Sequence, residues 1–138
     1  MLKKIDELKD SIGIKHTIKD YGIEEKDFLN AVWYRREMEF TKEQLNGRVI
    51  LHFGAVDQIA EVYMNGVFAG KHEGGYLSFT LDVSKLVKRK ESNHLEVKVT
   101  DFLSKEYPYG KQRKKRGGMW YTPVSGIWQS VWLENVPK

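Results

Sequence analysis

"AEVYMNGVFAGKH", residues 60–72, decides the fold. Ala60, Val62 and Met64 alternate with Glu61 and Tyr63, the two-residue period of a strand with one buried face. Asn65-Gly66 follows at once. That dipeptide tolerates the positive φ values of a tight type I′ turn, so the stretch reads as a β-hairpin.

The same period recurs on both sides. In "AVWYRREMEF" Val32, Tyr34, Arg36, Met38 and Phe40 share one side, and Trp33, Arg35, Glu37 and Glu39 share the other. "RVILHFGAV" sets Val49, Leu51 and Phe53 together, "YLSFTLDV" sets Leu77, Phe79 and Leu81 together, and "NHLEVKVTDF" does so with Leu95, Val97 and Val99. "TKEQLNG" turns the chain, and "SKLVKRKESN" reads as a short helical turn and a charged loop. Near the C-terminus, "GIWQSVWLENV" can turn Ile127, Val131 and Leu133 inward with Trp128 and Trp132 on the opposite side. Short strands separated by turns about every dozen residues predict a mainly β protein, an antiparallel β-sandwich.

Before Ala31 the period is helical. Leu2, Ile5, Leu8 and Ile12 recur at spacings of three and four, Gly13 is a C-terminal stop, and Thr17 with Asp20 opens a second turn that Gly22 ends. Residues 1–30 are therefore expected to form a short N-terminal helical segment ahead of a domain over 31–138. Such short helices need something to dock on.

The chain has 138 residues, room for one core, and its 41% apolar content is ordinary for a globular domain. The net charge of +4 is a mild bias. No cysteine is present, which excludes disulfides, thiolate metal sites and a thiol nucleophile. His16, His52, His72 and His94 lack metal-ligand spacing, so no metal and no cofactor is expected. "MLKKIDELKDSIG" has no apolar signal core, and no apolar run is long enough to cross a bilayer, which gives a cytoplasmic, membrane-free expectation. The run "GKQRKKRGG", residues 110–118, is cationic enough to attract phosphates. It is not interleaved with aromatics and accompanies no nucleic-acid motif, so a solvated loop is expected and nucleic-acid binding is not.

Taken in order and spacing, "WYRR", "LHFGAVD", "NG…G…EGGY" and "WYTPVSGIWQ" over about residues 28–138 resemble the N-terminal sugar-binding domain of glycoside hydrolase family 2, the family of β-galactosidases and β-glucuronidases. The resemblance implies a jelly-roll sandwich of the galactose-binding-like type, followed in a full enzyme by an immunoglobulin-like sandwich and a catalytic barrel. The barrel holds both glutamates of the family's chemistry, so no catalytic residue is assigned here. In some β-galactosidases of the family an aspartate just before the motif tryptophan reaches the active site. Gly117 and Gly118 stand there in this chain. Residues 1–30, with "GI" and "DF" near their end, resemble the closing helices of iron-containing alcohol dehydrogenases, and His16 matches none of that family's iron ligands.

Retaining glycoside hydrolysis needs two carboxyl groups about 5 Å apart. Asp57, Glu61, Glu73, Asp82 and Asp101 fall in loops and at alternating strand positions, where solvated and turn-capping roles are the rule. The aromatics have two readings. Trp120, Tyr121 and Tyr76 beside glycine pairs would suit stacking on the apolar face of a sugar, with His72 or Glu73 as polar partners. Alternatively the rings pack across strands or against neighbouring domains. Trp128 and Trp132, on one face, would then meet the remaining hydrolase domains or a second copy. The two function classes are a weakly binding, non-catalytic carbohydrate-binding or scaffolding domain, and a structural or self-association module without sugar contact.

Overall fold

The computed structural model describes residues 31–115 and 117–137. The helical expectation for residues 1–30 lies outside them. Among the described residues nine strands form: β1 (Ala31–Met38), β2 (Arg48–Phe53), β3 (Val56–Asp57), β4 (Ile59–Met64), β5 (Val67–Glu73), β6 (Phe79–Asp82), β7 (Asn93–Thr100), β8 (Gly126–Ile127) and β9 (Val131–Val136). They make a four-stranded sheet, β1-β7-β4-β5, a three-stranded sheet, β6-β2-β9, and the pair β3-β8. Every pairing between these strands is antiparallel.

Register explains how the alternation becomes a core. Tyr34, Val97, Val62 and Gly70 form one row across the larger sheet, and Val32, Val99, Ala60 and His72 the next. In the smaller sheet Leu81, Leu51 and Leu133 align, as do Phe79, Phe53 and Val131. These inner rows meet in one hydrophobic cluster containing Leu51, Phe53, Ala60, Val62, Met64, Leu95, Val97 and Val99, so the two sheets are the layers of a β-sandwich. Gly70 permits close contact between the layers: a Cβ there would stand 2.5 Å from Cδ2 of Leu81.

The predicted hairpin forms as β4 and β5, with φ of 54° at Asn65 and 76° at Gly66. Asn65 does more than turn the chain. Its Nδ2 donates to the Leu86 carbonyl and to Oδ1 of Asn93, each at 2.8 Å, and its Oδ1 accepts from the His94 amide at 2.9 Å. The outward rows carry Trp33, Tyr63 and Phe68 together with the ion pair Lys98–Glu61 at 2.7 Å. The cationic loop is not merely solvated, because Arg113 lies over the Trp120 ring at 5.3 Å and Oε1 of Gln112 accepts from the Val124 amide at 2.7 Å. Among the described residues no helix is long and apolar enough to cross a membrane.

Candidate functional site

Strand ends bring a set of polar and aromatic groups together at one end of the sandwich. Ile59 pairs with both Glu73 and Thr100, and Ala31 pairs with Thr100, so β1, β4, β5 and β7 all terminate there beside β3 and β8. Strand β5 runs into Gly74, whose amide donates to the Gln58 carbonyl at 2.9 Å and whose φ of +126° suits only glycine. Gly75 is buried against Asp57, where a Cβ would meet Oδ1 at 2.6 Å and Oε1 of Gln58 at 3.3 Å. The Gly75 carbonyl accepts from Nε1 of Trp128 at 2.8 Å. Tyr76 then meets the Trp128 ring edge-on, with centroids 6.3 Å apart.

The carboxylates of this end correct the sequence expectation. Asp57 and Asp101 are not ordinary solvated acids. Burial pushes the Asp57 carboxyl up from 3.8 to about 6, with the Asp101 charge adding to the effect. Burial also raises Asp101, against a lowering hydrogen bond from the Phe102 backbone. Gln58 is only 4% exposed, and its Oε1 has no hydrogen-bond partner among the described residues. The expectation of a turn-capping carboxylate holds for Asp82, which accepts from the Ser84 amide at 3.0 Å and pairs with Arg48.

Three of the five sequence candidates, His72, Glu73 and Tyr76, lie close together along the chain at the end of β5, each with different neighbours. Tyr76 is exposed beside Trp128. Glu73 accepts from the Tyr107 hydroxyl at 3.2 Å and pairs with Lys71 at 3.4 Å. His72 belongs to the inward row and stacks on Phe79 at 4.3 Å, with its Nε2 shielded and unpartnered among the described residues. Trp120 and Tyr121 stand apart, in the loop closed by the Lys111 carbonyl and the Tyr121 amide at 2.7 Å, and neither ring pairs with Tyr76 or Trp128 among the described residues. Trp128 and Trp132 also separate. Strand pairing breaks after Ile127, so Trp128 joins the site while Trp132 stacks on His52 at 4.8 Å.

Sequence reasoning missed Asp57 with Asp101, Gln58 and Tyr107. Asp57-Gln58 interrupts the alternation directly after Ala55 and Val56, which is a weak sign of a polar position beside the core. The approach of Asp101 and Tyr107 depends on register, which no local pattern carries. Chemically, the site offers exposed rings that can stack on a sugar's C–H face and acids that can accept from its hydroxyls. No group of three or more His, Cys, Asp or Glu that could hold a metal occurs among the described residues.

The raised carboxyl has a consequence for stability. Folded Asp57 holds its proton up to about pH 6 against an ordinary 3.8, so its stabilising protonation is complete below 3.8 and is lost as pH rises through 6. Asp57→Asn stays neutral. It should raise the unfolding free energy above pH 6, by about 1 kcal/mol once solvent screening of this half-exposed group is allowed for, and converge with the parent near pH 4. Parallel pH profiles of the two proteins would refute that origin.

A sandwich whose strand ends gather aromatic rings and acids is the class of domain the geometry defines. Residues 14–137 match the family described as "Glycosyl hydrolases family 2, sugar binding domain", and the chain belongs to it. A β-galactosidase of Thermoanaerobacter pseudethanolicus is 30% identical over 119 residues, 86% of this chain and 15% of that protein. A β-glucuronidase of Formosa agariphila is 29% identical over 117 residues, covering 82% and 12%. The solved β-glucuronidase of Bacteroides uniformis superposes with a TM-score of 0.67 at 27% identity, over 81% of this chain and 12% of that one. The chain thus spans less than a fifth of each of these relatives. The family match starts at residue 14, well before the resemblance at about residue 28, and the likeness of residues 1–30 to alcohol dehydrogenases gains no support from these comparisons.

Proposed function

We propose that the chain is a non-catalytic carbohydrate-binding and scaffolding domain, a galactose-binding-like jelly roll, of a family 2 glycoside hydrolase of β-galactosidase or β-glucuronidase type. The observation that carries this is the Gly74–Gly75–Tyr76 loop held against Trp128 and Asp57, since it puts ring faces and hydroxyl acceptors side by side at an exposed end. Hydrolysis falls to residues outside this chain. Binding by this domain alone is weak because the Tyr76 and Trp128 rings lie in the open rather than in an enclosed pocket. Titrating galactose and glucuronate separately into the 15N-labelled chain tests this. Saturable shifts are expected at Tyr76, Gly75 and the Trp128 indole, with Trp120 and Tyr121 reporting whether their loop takes part. Silence at all of these up to tens of millimolar sugar would sink the proposal.

A second reading is a structural module, favoured by Trp132, 47% exposed, and Trp128, 53% exposed. Rings left in the open on a domain surface suit contact with another hydrolase domain or a second copy. Mass in solution by light scattering separates the readings: a dimer lost on Trp132→Ser supports the second.

A further inference from the structure

Asn-Gly occurs twice in the chain, at Asn46-Gly47 and at Asn65-Gly66. The dipeptide is chemically labile, because glycine has no side chain to shield its backbone nitrogen from the carboxamide that precedes it. The fold treats the two copies differently. Asn65 is clamped on both sides of its amide: Nδ2 donates to the Leu86 carbonyl and to Oδ1 of Asn93, and Oδ1 accepts from the His94 amide. Asn46 closes the turn ahead of β2, is exposed, and its side chain has no hydrogen-bond partner among the described residues. Gly47 cannot be exchanged for a less reactive neighbour. Its φ of +145° suits glycine, and a Cβ there would collide with the Val136 carbonyl of β9.

We propose that Asn46 is the spontaneous modification site of the folded domain, converted by water to aspartate and isoaspartate, while Asn65 in the same dipeptide is held intact by its hydrogen bonds. The Gly47 nitrogen attacks Cγ of Asn46, the bond from Cγ to Nδ2 breaks, and ammonia leaves with the proton that the Gly47 nitrogen gives up. Water then opens the resulting succinimide at either carbonyl, and nothing is oxidised or reduced. At Asn65 the same departure would first have to break the hydrogen bonds to Leu86, Asn93 and His94, so reaction waits on local opening of the turn. Both products add a negative charge. Isoaspartate also lengthens the backbone just before Arg48, which pairs with Val136, and beside Gln44, whose carbonyl accepts from Nδ2 of Asn135 at 2.8 Å. The modification thus loosens the turn over residues 41–47 from β9.

Trypsin separates the two sites, because cleavage after Lys42, Arg48 and Lys71 leaves Asn46 in residues 43–48 and Asn65 in residues 49–71. The full chain, aged in mildly alkaline buffer and digested, should accumulate isoaspartate in residues 43–48 at least about 10-fold faster than in residues 49–71. In guanidinium that gap should close. Asn46→Ser should abolish the change in residues 43–48 and leave the denaturation midpoint where it was. Asn93→Ala should speed the reaction in residues 49–71 alone, and the comparison of native with denatured parent decides the matter if that variant does not fold. Equal rates at the two sites in native buffer, or an Asn46 that reacts only in denaturant, would overturn the proposal.

Discussion

Phe53→Ala should destabilise the domain by about 3–5 kcal/mol, the range for truncating a fully buried phenylalanine. Phe53 has no exposed surface, sits in the middle strand of the smaller sheet, and belongs to the same buried cluster as Val62 and Val97 of the larger one. Its ring stacks on Phe79 at 4.6 Å and 8°, and Phe79 stacks in turn on His72 at 4.3 Å. The substitution therefore removes both core volume and the base of a column of rings that ends at the candidate site. Guanidinium denaturation followed by tryptophan fluorescence should show a markedly lower midpoint. Sugar-dependent shifts at Tyr76, if present in the parent, should weaken as well, because His72 precedes the Glu73–Gly75 turn that positions this ring. A loss under 1 kcal/mol would mean that the two layers do not share one close-packed core.

Period-two patterning made the sandwich legible because burial on one face is imposed locally, residue by residue, and registers such as Leu51 with Leu133 only realise it. The Asn65-Gly66 turn was legible for a similar reason: the φ requirement falls on the two residues that spell it. The site was legible only in part. Tyr76 and Glu73 announced themselves through the glycine pair, but Trp128 was read as continuing the alternation of β9. The break between β8 and β9 redirects its indole to the Gly75 carbonyl. Asp57 and Asp101 looked like any strand-end acids. What sets them apart is burial created by segments distant in sequence, and desolvation is a property of the assembled end rather than of either residue.

Asn93→Ala should be nearly as damaging, at about 3 kcal/mol, although it removes a small polar side chain. Asn93 has no exposed surface. Its Oδ1 accepts from the Lys88 amide at 2.7 Å and from Nδ2 of Asn65 at 2.8 Å. Its Nδ2 donates to the Lys88 and Glu91 carbonyls at 3.0 and 3.1 Å. The side chain thus fastens the charged loop 84–92 to the start of β7 and to the β4–β5 turn. Alanine leaves these partners facing a cavity, and each unsatisfied buried group costs about 1–3 kcal/mol, moderated where water can enter. Asn93→Asp separates the two halves of the network. It keeps the acceptor contacts but sets a carboxylate oxygen against the Lys88 and Glu91 carbonyls, so at neutral pH its midpoint should fall at least as far as that of alanine and recover in part as acid protonates the group. Hydrogen exchange distinguishes this from general loosening: the Lys88 and His94 amides should lose protection before those of Val62 and Val97. Uniform loss of protection across β4 and β7 would instead make Asn93 an ordinary part of the core, and the turn would owe its register to Asn65-Gly66 alone.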